Sequence, residues 1–298
     1  MARMLHVPAK RKLLTSSLLT IFWLSISFPQ SLAQELSKLP YVPTPQVVVD
    51  EMLKMADVTA NDFVIDLGSG DGRVIITAAR AFKASGLGVD IDAKLVELAA
   101  KQAKAAGVDG RVKFIQQDMF KADISRATVV TLYVMPDFME KLRPKLLAEL
   151  KPGARIVAHD YYMSGWHPDR QFSLTVPEKV KANGTDKAYL YLWIVPSVVA
   201  GDWRMEFDPG GNRRQLMVLT FEQRYQLLNA SATNILGEMK IENTRLRGNE
   251  ISFDLMTGTG PYRFIGKVDG NKMEGTADAP KSKQPIAWAA RKLPAESK

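Results

Sequence analysis

Seven residues, Asp66-Leu67-Gly68-Ser69-Gly70-Asp71-Gly72, separate a short apolar run from a segment with helical spacing, and they narrow the possible folds more than any other feature of the chain. Phe63-Val64-Ile65, just before them, reads as a buried strand. After them, Val74, Ile75, Ile76, Ala78, Ala79, Ala81 and Phe82 have the spacing of a helix packed on a sheet. Glycines at such a strand-to-helix turn let the backbone approach a ligand closely and aim amide donors at it.

The alternation continues. Gly86-Leu87-Gly88-Val89 is a second strand, residues 94–106 a helix stopped by Gly107, and Val112-Lys113-Phe114-Ile115 a third strand. Residues 128–134 form a β-branched fourth strand, 137–150 a helix, and 154–158 a fifth strand entered through Pro152-Gly153. Strands alternating with helices imply a parallel sheet with both faces covered. Beyond the fifth strand the pattern changes: 171–176 and 188–195 read as two strands joined by a loop containing Asn183-Gly184, with no helix between them, which predicts an antiparallel hairpin.

Two Rossmann-type cofactors compete for the glycine turn. A dinucleotide asks for a third small residue that lets the helix pack close to the strand, and counting from Gly68 that position is Arg73. Asp66, two residues before the first glycine, would repel a pyrophosphate and suits a ligand carrying an ammonium and a sulfonium. The charge logic selects S-adenosylmethionine. Asp90 ends the second strand 22 residues after Gly68, where an acid accepts from both ribose hydroxyls, and Asp118 past the third strand suits an adenine amino group. Gly68, Ser69, Gly70, Ile91 and Met119 complete this cofactor set. The three acids follow successive strands at their carboxyl ends, the edge where open α/β sheets bind ligands.

These motifs carry a resemblance. DLGSGDGRV, GVDID, RVKFIQQD and the terminal hairpin together resemble the class I S-adenosylmethionine-dependent methyltransferases over roughly 155 residues. Tyr41-Val42-Pro43-Thr44-Pro45, LYVMP at the end of strand four and the short connection after strand five are similar, more narrowly, to the small lysine methyltransferases related to the mitochondrial enzyme acting on the ATP synthase c-subunit. The resemblance implies a Rossmann-like α/β sheet ending in an antiparallel hairpin, methyl transfer to a protein lysine, and a segment before the first helix that closes over the cofactor. It thereby nominates Tyr41, Pro43, Thr44 and Pro45 as site residues, with Asp90 as the ribose ligand.

For the acceptor, Leu132-Tyr133-Val134-Met135-Pro136 stands where amide and adenine-amine methyltransferases carry Asn/Asp-Pro-Pro-aromatic. Tyr133 could pack on the methionine portion, face a lysine amine through a cation–π contact, or be an ordinary strand residue. His159 and Asp160 end the fifth strand, either as base and ammonium ligand or as a local turn satisfied by its own backbone. Trp166 and His167 follow as a substrate wall or as packing for the sheet end. Methyl transfer is an in-line displacement, so positioning and a deprotonated nucleophile suffice.

After Pro196, eight short alternating segments punctuated by glycine and asparagine predict an all-β small barrel or sandwich, calycin-like in pattern, over 199–298. The strands are expected at 203–207, 215–220, 224–229, 238–242, 250–255, 262–268, 272–277 and 287–291. The methyltransferase region is expected over 34–198. Residues 1–33 read as a signal peptide: Lys10-Arg11-Lys12, an apolar stretch over 13–28, and Ser31-Leu32-Ala33 at the cleavage point. That predicts a periplasmic or secreted chain, with an uncleaved membrane anchor as the alternative. The segment holds four basic residues and no acid, which is half of the net charge of +8. Residues 34–198 balance 21 basic against 20 acidic, so charge gives a nucleic-acid partner no support. Cysteine is absent and the three histidines do not cluster, so no thiolate chemistry and no metal site are expected. Two functional readings stand: an exported methyltransferase, or a non-catalytic S-adenosylmethionine or nucleoside binding protein whose β domain meets a partner.

Overall fold

The computed structural model describes residues 41–209, 214–280 and 284–294. The signal-peptide reading of 1–33 lies outside the described residues. Five parallel strands form first: β1 (Phe63–Leu67), β2 (Ser85–Asp90), β3 (Val112–Gln116), β4 (Val129–Leu132) and β5 (Arg155–His159). With β6 (Arg170–Thr175) and β7 (Lys187–Ile194) they make one sheet in the order β3-β2-β1-β4-β5-β7-β6, in which β7 runs antiparallel to β5 and to β6. Both β2 and β4 pair with β1, so the connections leaving β1 and β4 diverge and open a crevice at the carboxyl ends of the strands.

The near-continuous apolar character of these strands follows from burial on both faces. Helices α1 (Gln46–Met55) and α2 (Arg73–Phe82) cover one face through Val48, Met52, Leu53 and Ile75. Helix α3 (Ala93–Ala105) starts where Asp92 caps it by accepting from Lys94 N at 2.8 Å. Helix α4 (Pro136–Glu149) begins with proline at its first position and covers the opposite face through Phe138, Met139, Leu142 and Leu146.

The hairpin differs from the expectation. A short helix, α5 (Lys179–Asn183), lies between β6 and β7, and Asn183-Gly184 ends it instead of turning a hairpin: Gly184 has φ 70° and its amide donates to Val180 O at 3.0 Å. Strand β4 is also shorter than expected, which frees Tyr133, Val134 and Met135 from the sheet.

The second body is a closed antiparallel barrel of β8 (Gly201–Phe207), β9 (Gln215–Arg224), β10 (Leu227–Asn234), β11 (Gly237–Arg247), β12 (Glu250–Thr257), β13 (Gly260–Asp269), β14 (Lys272–Asp278) and β15 (Ile286–Lys292), sealed by β15 against β8. Of the two all-β architectures expected, the chain adopts the barrel. Its inward residues fill the interior: Phe253 and Phe264 stack at 5.0 Å, and Trp288 meets both edge-on at 5.7 Å. Several strand boundaries differ from the expectation: β9 runs on to Arg224, β10 covers Leu227–Asn234, and β11 runs on to Arg247. The turn between β9 and β10 is Tyr225-Gln226, two adaptable residues, whereas the expected punctuation at Asn229 falls inside β10.

Candidate active site

A cavity of about 330 Å³ opens at the carboxyl ends of β1, β2 and β4 under a strap formed by residues 41–44. Asp66 forms its floor. The carboxyl is almost fully buried and accepts from Thr131 Oγ1 at 2.7 Å. Burial pushes it up to about 7, a rise that the Thr131 hydrogen bond opposes and the charges of Asp90 and Asp71 reinforce. Asp66, Asp71 and Asp90 thus line one cavity, with Asp71 answered by Arg73 and Asp66 and Asp90 left facing the space.

The glycine turn is used differently from the sequence expectation. Gly68 N and Ser69 N both donate to Val89 O, at 2.8 and 3.0 Å, Gly70 N donates to Asp90 Oδ2 at 2.7 Å, and Gly72 N donates to Ser69 O at 2.9 Å. These amides are therefore engaged within the protein rather than aimed at a ligand, and the turn is no cradle for a pyrophosphate. What the glycines supply is clearance. A Cβ on Gly70, which has φ 52°, would lie 2.4 Å from Tyr41 Cε2. Asp90 spends Oδ2 on Gly70 N and Oδ1 on Asp92 N at 2.9 Å, and each oxygen keeps acceptor capacity for a diol. Ser69 Oγ is buried with no hydrogen-bond partner among the described residues. An orphaned hydroxyl, a ring of acids and a space cleared by glycine fit a cationic nucleoside such as S-adenosylmethionine.

The strap is tied down by a residue that the sequence reading used only to reject a dinucleotide. Arg73 donates from Nε to Asp71 Oδ1 at 2.9 Å and from Nη2 to Asp71 Oδ2 at 2.7 Å, while its Nη1 reaches Thr44 O at 2.8 Å. Burial alone would raise the Asp71 carboxyl, but the hydrogen bonds and charge of Arg73 outweigh it and hold it below the usual carboxylate range. The Tyr41 phenol is pushed up to about 12 by burial and by the charge of Asp71.

Of the residues nominated from sequence, Tyr41, Pro43, Thr44, Asp66, Gly68, Ser69, Gly70, Asp90, Ile91, Met119 and Tyr133 line this cavity, joined by Gln117, Met135 and Tyr161. Asp118 is not among the lining residues. Its Oδ1 accepts from Phe120 N at 2.9 Å, shaping the turn that presents Met119. His159 and Asp160 also stand behind the wall. His159 is fully buried, 4.1 Å from the Tyr133 ring by centroids, with Nδ1 3.4 Å from Thr44 Oγ1 and Nε2 3.4 Å from Lys179 Nζ.

Lys179 carries no signal in the sequence, where it falls in the loop expected between the last two strands of the sheet. It is 2% exposed. Its three donors go to Asp160 Oδ2 at 2.5 Å, Lys187 O at 2.7 Å and His159 Nε2. Nε2 also lies 3.4 Å from Asp160 Oδ2, so the ring sits between the ammonium, that carboxylate and the Thr44 hydroxyl. Burial pushes the imidazole down to about 4; Asp160 opposes this and Lys179 adds to it. Asp160, at φ 61°, also accepts from Tyr189 N at 3.0 Å. Among the described residues no group of three or more metal-ligating side chains gathers.

The sequence is similar to that of known proteins. A family described as the ANTKMT methyltransferase domain matches residues 66–170. A protein-lysine N-methyltransferase of Saccharolobus islandicus is 46% identical over 131 residues, covering 44% of this chain and 81% of the relative. The lysine N-methyltransferase of Xenopus laevis named for the ATP synthase c-subunit is 36% identical over 135 residues, covering 45% of this chain and 58% of the relative. A crystal structure described as an RNA methyltransferase from Salinibacter ruber in complex with S-adenosyl-L-homocysteine is 48% identical, with a TM-score of 0.48 over 53% of this chain and 96% of that one.

Proposed function

The chain belongs to the S-adenosylmethionine-dependent methyltransferases, in the family of the protein-lysine N-methyltransferases, and from that premise we propose that it transfers a methyl group to the side-chain amine of a lysine in a protein outside the cytoplasm. The observation that carries this reading is the pairing of an acid-ringed cavity with an apolar mouth of Tyr133, Val134, Met135 and Tyr161.

When bound, S-adenosylmethionine supplies a methyl group on a sulfonium, an excellent leaving group. Asp66 would answer the positive charge of its methionine part, and Asp90 the ribose hydroxyls. Ile91, Gln117 and Met119 would border the base. The chain then has two tasks: to hold an amine in line and to favour its neutral form. An apolar mouth does the second, since burial lowers an amine's pKa. Rings of tyrosine there attract an incoming ammonium before it loses its proton to solvent. His159, Asp160 and Lys179 lie behind Tyr133 and Thr44 and act by fixing them.

The near balance of 21 basic and 20 acidic residues over 34–198 weighs against a polyanionic acceptor such as RNA. Location outside the cytoplasm is supported by Lys10-Arg11-Lys12, the apolar stretch over 13–28 and Ser31-Leu32-Ala33. Sequencing the N-terminus of the protein recovered from its producing cell tests that part: a start just after Ala33 is expected, and a start near Met1 overturns cleavage. Incubation with methyl-labelled S-adenosylmethionine and a cell-envelope extract tests the activity, with label expected on protein that Asp90→Ala fails to transfer.

A further inference from the structure

The barrel touches the methyltransferase body through the tight turn Tyr225-Gln226. There the Gln226 side chain accepts from Trp166 Nε1 at 2.9 Å and donates to His167 O at 2.6 Å. Tyr225 stacks on the Trp166 indole at 5.2 Å with the planes 13° apart, and it does so from a left-handed backbone at φ 55°. A non-glycine residue in that region is disfavoured unless its surroundings hold it there, which marks the turn as shaped for its contact. Gln223 braces it by donating to Tyr225 O and Ser197 O, both at 2.7 Å.

Trp166 is fully buried, and its carbonyl accepts from Trp193 Nε1 of β7 at 2.7 Å. The residue thus lies between the barrel and the sheet, in the loop that joins β5 to β6. Five positions earlier in the same loop, Tyr161 lines the mouth of the cavity and stacks on Tyr133 at 5.9 Å. Between them, Tyr162 Oη lies 3.4 Å from His167 Nδ1. Tyr161, the part of the acceptor-side mouth that this loop supplies, thus sits on a short loop whose middle is held by α4, through Arg143 and Glu140 on Ser164, and whose far end is gripped by the barrel.

We propose that Tyr225 and Gln226 are positioning residues for methyl transfer: the barrel clamps residues 161–167 through Trp166 and thereby fixes the wall against which the acceptor docks. This rests on the reading that Tyr161 faces an acceptor, while the clamp itself rests on contacts alone. The cofactor half of the cavity, built from β1, β2 and the strap, makes no part of the clamp. Cofactor affinity and acceptor affinity therefore separate under mutation.

The test uses the full-length chain with Gln226→Ala, Trp166→Phe and the two combined. Trp166→Phe keeps an aromatic ring facing Tyr225 while removing the indole donor and part of the buried ring. Three quantities are measured: S-adenosylhomocysteine affinity by calorimetry, amide hydrogen exchange over 161–168, and the extract concentration giving half-maximal label transfer. The clamp predicts cofactor affinity within twofold of wild type, exchange at least tenfold faster, half-saturation at least fivefold higher with little change in maximal rate, and a double variant no worse than the poorer single one. Unchanged exchange in both single variants overturns the clamp, as does a parallel loss of cofactor affinity. If wild-type protein transfers no label while exchange accelerates as stated, the methyltransferase reading fails and the clamp stands.

Discussion

Lys179 Nζ lies 2.5 Å from Asp160 Oδ2 with the lysine side chain only 1% exposed, so a full positive charge is buried behind the wall of a cofactor cavity. Removing one partner of such a pair leaves the other charged and desolvated, which costs about 3–5 kcal/mol. Lys179→Met is therefore expected to lower the unfolding free energy by about 3 kcal/mol in denaturant titration, far beyond the change expected for the exposed Lys181→Met. Equal effects of the two substitutions would remove Lys179 from the account.

The strap makes a second prediction. Arg73 joins Thr44 O to Asp71 by a forked guanidinium that a lysine does not reproduce. Arg73→Lys should weaken S-adenosylhomocysteine binding by about tenfold, the worth of roughly one charge-assisted hydrogen bond, while shifting the thermal midpoint only slightly. Calorimetry on the two proteins decides; affinity within twofold of wild type would mean that the strap needs no tether.

A third prediction concerns Gly70, whose added Cβ would strike the Tyr41 ring. Gly70→Ala is expected to swing the half-exposed Tyr41 ring outward and open the roof, at an added cost of about 1–2 kcal/mol for a Cβ in the left-handed region at φ 52°. Ligand affinity should fall at least tenfold with most of the stability kept, by calorimetry and thermal melting of the same sample. A collapse in stability with normal affinity in the remaining folded fraction would place the constraint in the backbone instead.

The pH dependence of stability carries two opposing contributions. Asp66 is raised to about 7, so the folded chain binds a proton that the unfolded chain releases; its stabilising effect is complete below about pH 4 and lost as pH rises through about 7. His159 is lowered to about 4, so its effect runs the other way, present above about pH 6.5 and lost as pH falls through about 4. Between these limits the two slopes partly cancel in the ligand-free wild type. Asp66→Asn removes the first, and its stability should decline more steeply than wild type from pH 6.5 towards 4. Thermal midpoints at intervals across that range check the sign, and an unchanged slope would mean that Asp66 is ionised throughout.

What was legible in the sequence was whatever local pattern and local charge decide. The motif around Gly68 to Gly72, with Asp90 after the second strand, pointed to both the sheet and the cavity at its carboxyl edge, because apolar period and acid placement act over a few residues. Eight alternating segments announced an all-β body, but closure into a barrel depends on β15 meeting β8, a pairing between distant parts of the chain. Lys179 and the turn Tyr225-Gln226 were illegible for the same reason. Their roles come from Asp160, His159 and Trp166, which approach them only once the sheet, the hairpin and the barrel have assembled. Asn183-Gly184 misled because the same pair that turns a hairpin also ends a helix, and only the four residues before it distinguish the two.

On the proposed function, the acid-ringed cavity delivers a methyl group to a protein amine. Wild-type chain is incubated with S-adenosylmethionine bearing a deuterated methyl group and a cell-envelope extract, and the digested extract is read by mass spectrometry. Deuterated methyl on lysine side chains, absent with Asp90→Ala, is the predicted result. Label recovered only in nucleic acid, or no label from a protein that binds the cofactor tightly, would contradict it.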